Sequence, residues 1–321
     1  MQDDAAQEAR FRRIFRAAHS HHAACATDEW LNSPCLLSDG GQSDRPIVWS
    51  RRNGPWRRVP VLFVGAAPGN AGGLGSSDLG AHGTRIPFGG DIAGANLDVL
   101  LSSVGMDRNG TFLVAAYNQL PERGGGEPST RELAAPVGSY PDSGALLRDT
   151  VIAAGPTLVV ALGSVGLRTL IAAITRPYDA PVGCPPQSTA PLRLPGTARL
   201  AASGIRRGQP VEWPVAFAPD GGFRDAWRQA WGSEPRLTLL PLLHPSAQNM
   251  SPFAGTTTQF HIHMLQTRTA FVDAARAVLR LEPPAVRPAA PRTGIYALPE
   301  WRGRVADRHD RYDALWREKG V

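Results

Sequence analysis

The chain of 321 residues is almost without lysine: of its 34 basic residues only Lys319, two positions from the C-terminus, is lysine, and the rest are arginine. That excludes amine chemistry in a central site, whether a Schiff base or a catalytic lysine dyad. It also excludes a phosphate-binding loop of the Gly-Lys-Ser/Thr kind. Wealth in Ala, Arg, Gly and Pro is what GC-rich coding produces, and the exclusion holds whatever its cause. Cysteine is scarce as well. Cys25, Cys35 and Cys184 are odd in number and sparsely spaced, which argues against a disulfide framework. No run approaches the 18 apolar residues that a membrane-spanning helix requires. Met1 to Arg16 is charged and has no apolar core of the secretory type. The expectation is a soluble, cytoplasmic protein that does not engage a membrane.

What is present suits a folded α/β protein. Hydrophobic residues make up 42% of the chain, and its formal net charge is +6. With 34 glycines and 29 prolines, long irregular segments are expected between the regular elements. Four short apolar runs read as buried parallel strands: 60–65, 111–116, 157–163 and 237–243. Helical spacing is read at 3–24, 93–106, 144–154, 164–175 and 257–281. Strands alternating with helices predict a four-stranded parallel sheet flanked by helices, a three-layer α/β/α unit. Residues 1–282 are taken as this domain, with a Pro/Gly-rich insertion at 176–234, and 283–321 as a linker and charged tail. There is no internal repeat.

The polar clusters fall just beyond strand C-terminal ends, where open α/β sheets build their ligand sites. They are Gly65 to Asn70, Asn118, Gly163-Ser164 and His244 to Asn249. Three segments stand in a characteristic order: Gly65-Ala66-Ala67-Pro68-Gly69-Asn70, then Ile86-Pro87-Phe88-Gly89-Gly90-Asp91-Ile92-Ala93-Gly94, then His244-Pro245-Ser246-Ala247-Gln248-Asn249. As an ordered set on a four-stranded α/β unit, these resemble the uracil-DNA glycosylase superfamily, most closely its family 5. The likeness covers roughly 60–175 and 236–280.

Breaking a C–N glycosidic bond creates a cationic sugar and an anionic base. A site for it must hold a flat base, stabilise negative charge and position a water, after taking the base out of the stack. The resemblance implies these roles residue by residue. Phe88 stacks on the base, and Ala66 and Ala67 line its pocket. Asp91 orients the water or steadies the sugar cation, a carboxylate that equally suits the N-cap of the following helix. His244 donates to the base carbonyl and steadies the departing anion. Ser246, Gln248 and Asn249 meet the DNA, and backbone N–H groups at Gly163-Ser164 meet a phosphate.

Several positions depart from related families. Ala66 and Ala67 stand where families 4, 1 and 2 carry Glu, Asp or Asn, so the first motif has no water-activating side chain. That moves the role to Asp91, with Asn70 as a second candidate. The base-reading asparagine usually ends the second strand; here Ala115 or Ala116 stands in that register, and Asn118 serves only if the strand end is shifted. Families 4 and 5 commonly hold an iron–sulfur cluster on four cysteines, more than the three present, so no cofactor and no metal are expected.

The expected activity is that of a monomeric, monofunctional DNA glycosylase acting on uracil or a related deaminated base in base excision repair. It would lack lyase activity, since strand-cutting glycosylases use an amine nucleophile. Two other readings stay open. A non-catalytic nucleic-acid-binding module on the same fold suits the apolar first motif, and a nucleoside or nucleotide hydrolase suits the modest net charge.

Overall fold

A computed structural model describes residues 4–18, 36–37, 43–44, 60–67, 92–106, 111–118, 121, 127–177, 192–196, 200, 205–213, 221–245 and 257–284. The chain opens with α1 (Asp4–Ala18), followed by a two-stranded ribbon of β1 (Leu36–Leu37) and β2 (Ser43–Asp44). Next come β3 (Val61–Gly65), α2 (Ile92–Ser102), β4 (Thr111–Ala115) and the single turn α3 (Thr130–Leu133). Then follow α4 (Ser143–Ala154), β5 (Leu158–Leu162), α5 (Gly163–Thr175), β6 (Val211–Trp213) and α6 (Gly221–Trp231). The last elements are β7 (Leu237–Leu242) and α7 (Thr257–Ala274), which continues as a π-helical turn over Ala275–Leu279.

The sheet has five strands in the order β4-β3-β5-β7-β6. The four strands expected from the sequence are its parallel members, in register Val61↔Thr111, Val61↔Leu158 and Leu158↔Thr238. The fifth corrects the four-stranded expectation: β6 pairs antiparallel with β7 at the edge. It comes from the segment read as an insertion. Three residues between Pro210 and Pro214 are too few to display alternation, and flanking prolines are tolerated only at an edge. The same segment supplies α6, whose Phe223, Ala226, Trp227 and Ala230 are buried at helical spacing.

Side chains alternate across the sheet, as the pleat requires. Leu62, Val64, Phe112, Val114, Val159, Ala161 and Leu239 face a core shared with α1, α4, α5 and α6. Val61, Phe63, Leu113, Val160, Leu240 and Leu242 face the opposite core, shared with α2 and α7. Aromatic contacts pin each layer to the sheet: Phe11 of α1 on Phe112, edge-on at 5.4 Å, and Phe63 on Phe271 of α7 at 5.8 Å.

Helix α4 is buried along its whole length, so every polar group on it needs a partner inside the protein. Asp142 caps its N-terminus by accepting from the Ala145 amide at 2.9 Å, and its second oxygen pairs with Arg176. At the C-terminus all four last carbonyls are satisfied. The Gly155 amide donates to Val151, the Trp231 indole to Ile152 at 2.6 Å, and the Gln7 amide to Ala153 and Ala154 at 3.0 and 2.8 Å. Mid-helix, the fully buried Arg148 donates to Asp149 at 2.7 Å and to the Gly222 carbonyl at 3.0 Å. The Tyr140 hydroxyl donates to the other Asp149 oxygen at 3.1 Å.

Removing one member of this buried pair strands a charge. Arg148→Met is expected to destabilise the protein by about 3–5 kcal/mol. Adding Asp149→Asn should recover part of the loss, and urea denaturation of wild type, single and double variants checks both.

Candidate active site

The strand order sets out the C-terminal ends of the sheet as a row. Asn118 lies beyond β4, Ala66 and Ala67 beyond β3, Gly163 and Ser164 beyond β5, and His244 beyond β7. Three inter-strand steps at 4.7–4.9 Å make the row about 14 Å wide. Residues from four distant parts of the sequence thus share one edge.

The first two positions are zipped together beyond the strands. The Ala116 amide donates to the Gly65 carbonyl at 2.8 Å, and the Tyr117 amide to the Ala66 carbonyl at 2.9 Å. Asn118 follows immediately and is buried. The end of β4 therefore runs on, hydrogen-bonded, toward Asn118. Ala66 and Ala67 are half-buried against an apolar cluster of Tyr117, Leu133, Val165, Ala172 and Leu192. Leu192 comes from the segment read as an insertion. The Arg168 side chain holds that segment in place by donating to the Pro195 carbonyl at 2.8 Å. Neither Leu192 nor Tyr117 was expected here, since nothing local marks either as a neighbour of the first motif.

The third position is a helix start. Helix α5 begins at the residue after β5, with Leu162 in the cap position and no side-chain cap. Gly163 adopts φ +82°, in the region that favours glycine, which allows a strand to turn straight into a helix. Ser164 is exposed on the first turn. Three residues on, Gly166 lies against β3: a Cβ there would stand 2.7 Å from the Val64 carbonyl oxygen. Absence of a side chain thus lets α5 press its first turn onto the sheet edge. The positive end of the helix dipole is directed at the row, where it favours an anion.

His244 is the immediate neighbour of this helix start. A Cβ on Gly163 would lie 3.5 Å from the His244 Cβ. The backbone just after the histidine is tied down from the other layer: the buried Asn96 amide of α2 donates to the Pro245 carbonyl at 2.8 Å. Asn96 is a second residue that motif reading missed, because its only signal is a polar residue on the apolar face of a helix.

Of the sequence-derived candidates, the structure brings Ala66, Ala67, Asn118, Gly163, Ser164 and His244 to one edge. Asn70, Phe88, Asp91, Ser246, Gln248 and Asn249 lie outside the described residues, as do the three cysteines. Among the described residues no group of three or more His, Cys, Asp or Glu is placed to hold a metal. Also among them, no helix is long and apolar enough to cross a membrane.

A family model described as the uracil DNA glycosylase superfamily matches residues 52–277, well over half of the chain. The match contains every strand of the five-stranded sheet and every strand end in the row. No curated protein matches the chain.

The close approach at Gly166 can be tested directly. Gly166→Ala is expected to lower unfolding stability by about 1–3 kcal/mol, through overpacking against backbone that cannot yield. Gly196→Ala, where a Cβ meets nothing within 4 Å, should stay within about 0.5 kcal/mol of wild type. Denaturant midpoints of the two variants check the contrast.

Proposed function

The chain belongs to the uracil DNA glycosylase superfamily, which carries DNA glycosylase-type activity, and we propose that it hydrolyses the N-glycosidic bond of uracil, or of a related deaminated base, in DNA. In this reading it acts as a family 5-type, monofunctional enzyme of base excision repair, working as a cytoplasmic monomer. The observation that supports it most is the juxtaposition of His244 with the uncapped start of α5 at the strand C-terminal ends. An imidazole N–H donor beside a helix N-terminus suits a planar leaving group that departs with a negative charge.

The proposed step is hydrolysis. The C1′–N bond breaks and its electron pair leaves with the base, while water adds to C1′ and the proton it gives up ends, by way of solvent, on the departed base anion. His244 donates a hydrogen bond to the base carbonyl as charge grows on it, which a neutral imidazole can do. Asp91 orients the water or stabilises the sugar cation, and Asn70 is the second candidate for that work. Phe88 stacks on the flipped base. Asn118 reads its Watson–Crick edge, and the small Ala66 and Ala67 leave room for the ring. Ser246, Gln248, Asn249 and the Gly163-Ser164 backbone hold the flanking strand. The described segments contain no lysine, and the mechanism needs none: water is the nucleophile, so the product is an intact strand carrying an abasic site.

A panel of oligonucleotides carrying one lesion each, single- and double-stranded, tests this. The purified chain is expected to generate abasic sites at uracil, with strand breakage only after alkali or heat. His244→Ala should slow single-turnover release by about 10²–10³, the usual cost of losing one donor to a developing anion, and Asp91→Ala should slow it as well. Binding without release, unaltered by either substitution, would instead identify a non-catalytic module.

A further inference from the structure

The segment before the edge strand carries an element that no motif covers. Residues Arg206-Arg207-Gly208-Gln209 form a tight turn in which the Gln209 amide donates to the Arg206 carbonyl at 3.2 Å. Gly208 sits at the third position with φ +74°, as a type II turn demands. The turn is anchored on both sides. Ile205, just ahead of it, is buried in the core shared with α1, α4, α5 and α6. The Gly208 amide donates to the Pro241 carbonyl of β7 at 2.8 Å, and a Cβ on Gly208 would touch Ala270 of α7 at 3.5 Å. The chain therefore wraps the sheet edge from one helical layer to the other, presenting Arg206 and Arg207, both exposed, at the crossing.

Register decides which end of the edge this is. β6 runs antiparallel to β7, with Trp213 opposite Leu237 and Val211 opposite Leu239. Moving back along the chain from Val211 therefore moves toward the C-terminal end of β7, where His244 follows. The contact from Gly208 to Pro241 confirms that direction. The turn thus extends the row of strand ends by one position, beyond His244. Some exposed arginines are held by carboxylates, Arg228 by Asp225 and Glu234 and Arg276 by Glu282, while others, such as Arg131 and Arg236, pair with no carboxylate among the described residues. Among the described residues neither Arg206 nor Arg207 has such a partner.

We infer that the Arg206–Gln209 turn is a DNA phosphate clamp flanking the His244 end of the site. This rests on the glycosylase reading and adds to it a binding element outside the recognised motifs. Two adjacent guanidiniums on a turn pinned at both ends lose little freedom on binding, and each can fork onto phosphate oxygens. The competing role for charge at this place is to guard an exposed sheet edge against pairing with another chain.

The test is a salt titration of the full chain on a short, fluorescently labelled, lesion-free duplex, run beside the base-release assay. Neutralising fewer phosphates flattens the dependence of log affinity on log salt. Arg206→Ala/Arg207→Ala is therefore expected to reduce the slope by about 1–2, while Arg206→Lys/Arg207→Lys retains it. Arg236→Ala, just before β7 at the opposite end of that strand, is expected to leave the slope unchanged. A double alanine variant with the wild-type slope overturns the clamp and leaves the edge-guarding role, whether or not the wild type releases base. A flattened slope in a protein that releases no base supports the clamp and sinks the catalytic reading alone. A wild type whose binding has no salt dependence overturns the clamp outright.

Discussion

The site depends on how closely one helix can approach one strand. With no side chain at Gly166, the first turn of α5 rests on the last carbonyls of β3, and this one approach has three consequences. It directs the helix N-terminus into the row of strand ends. It carries Val165 into the apolar cluster beneath Ala66 and Ala67. It also brings Gly163 beside His244. A methyl group at residue 166 would disturb all three, because it would meet backbone rather than a side chain able to swing away. The direction of the α5 N-terminus toward the strand ends therefore follows from packing before any side-chain chemistry is considered.

The opposite layer provides a different kind of support. Asn96 reaches across from α2 to hold the Pro245 carbonyl, so the backbone after His244 is fixed by a buried amide rather than by the β ladder. Far from the edge, α4 carries a buried ion pair, a capping aspartate and a fully satisfied C-terminus. Such polar networks contribute little net stability over a well-packed apolar core. They do penalise displacement of α1, α4 or α6 relative to one another, since each shift would strand a buried donor or acceptor. The helical layer behind α5 is thereby held in one arrangement.

Much of the fold could be read from the sequence because buried parallel strands announce themselves. The runs at 61–65, 111–115, 158–162 and 237–242 are predominantly apolar on both faces. What escaped did so for identifiable reasons. β6 has three residues, fewer than any alternation needs, and lies between prolines. α6 does have apolar residues at i, i+3, i+4 and i+7, but it opens on Gly221-Gly222 inside a Pro/Gly-rich stretch that masks the period. Among the candidate residues, the placement of His244 and of the Gly163-Ser164 junction at the sheet edge was legible because each lies just after a strand. Leu192 and Asn96 were not, because their importance lies in neighbours about 100 or more positions away, which no local pattern encodes.

The closure of α4 also bears on the order in which the chain matures. Gln7 leaves the ribosome well before the carbonyls it caps, which lie 146 and 147 residues further on. At ordinary synthesis rates of 5–20 residues per second, α1 waits about 7–30 s for that partner to emerge. For most of that interval, until β4 with Phe112 has emerged, Phe11, Ile14 and Phe15, all buried in the finished protein, have no paired strands to pack on. The Trp231 indole that completes the cap arrives later still, 79 residues beyond its acceptor. The first helix thus acquires its final partners in stages, the sheet first, then the end of α4 and last the Trp231 indole.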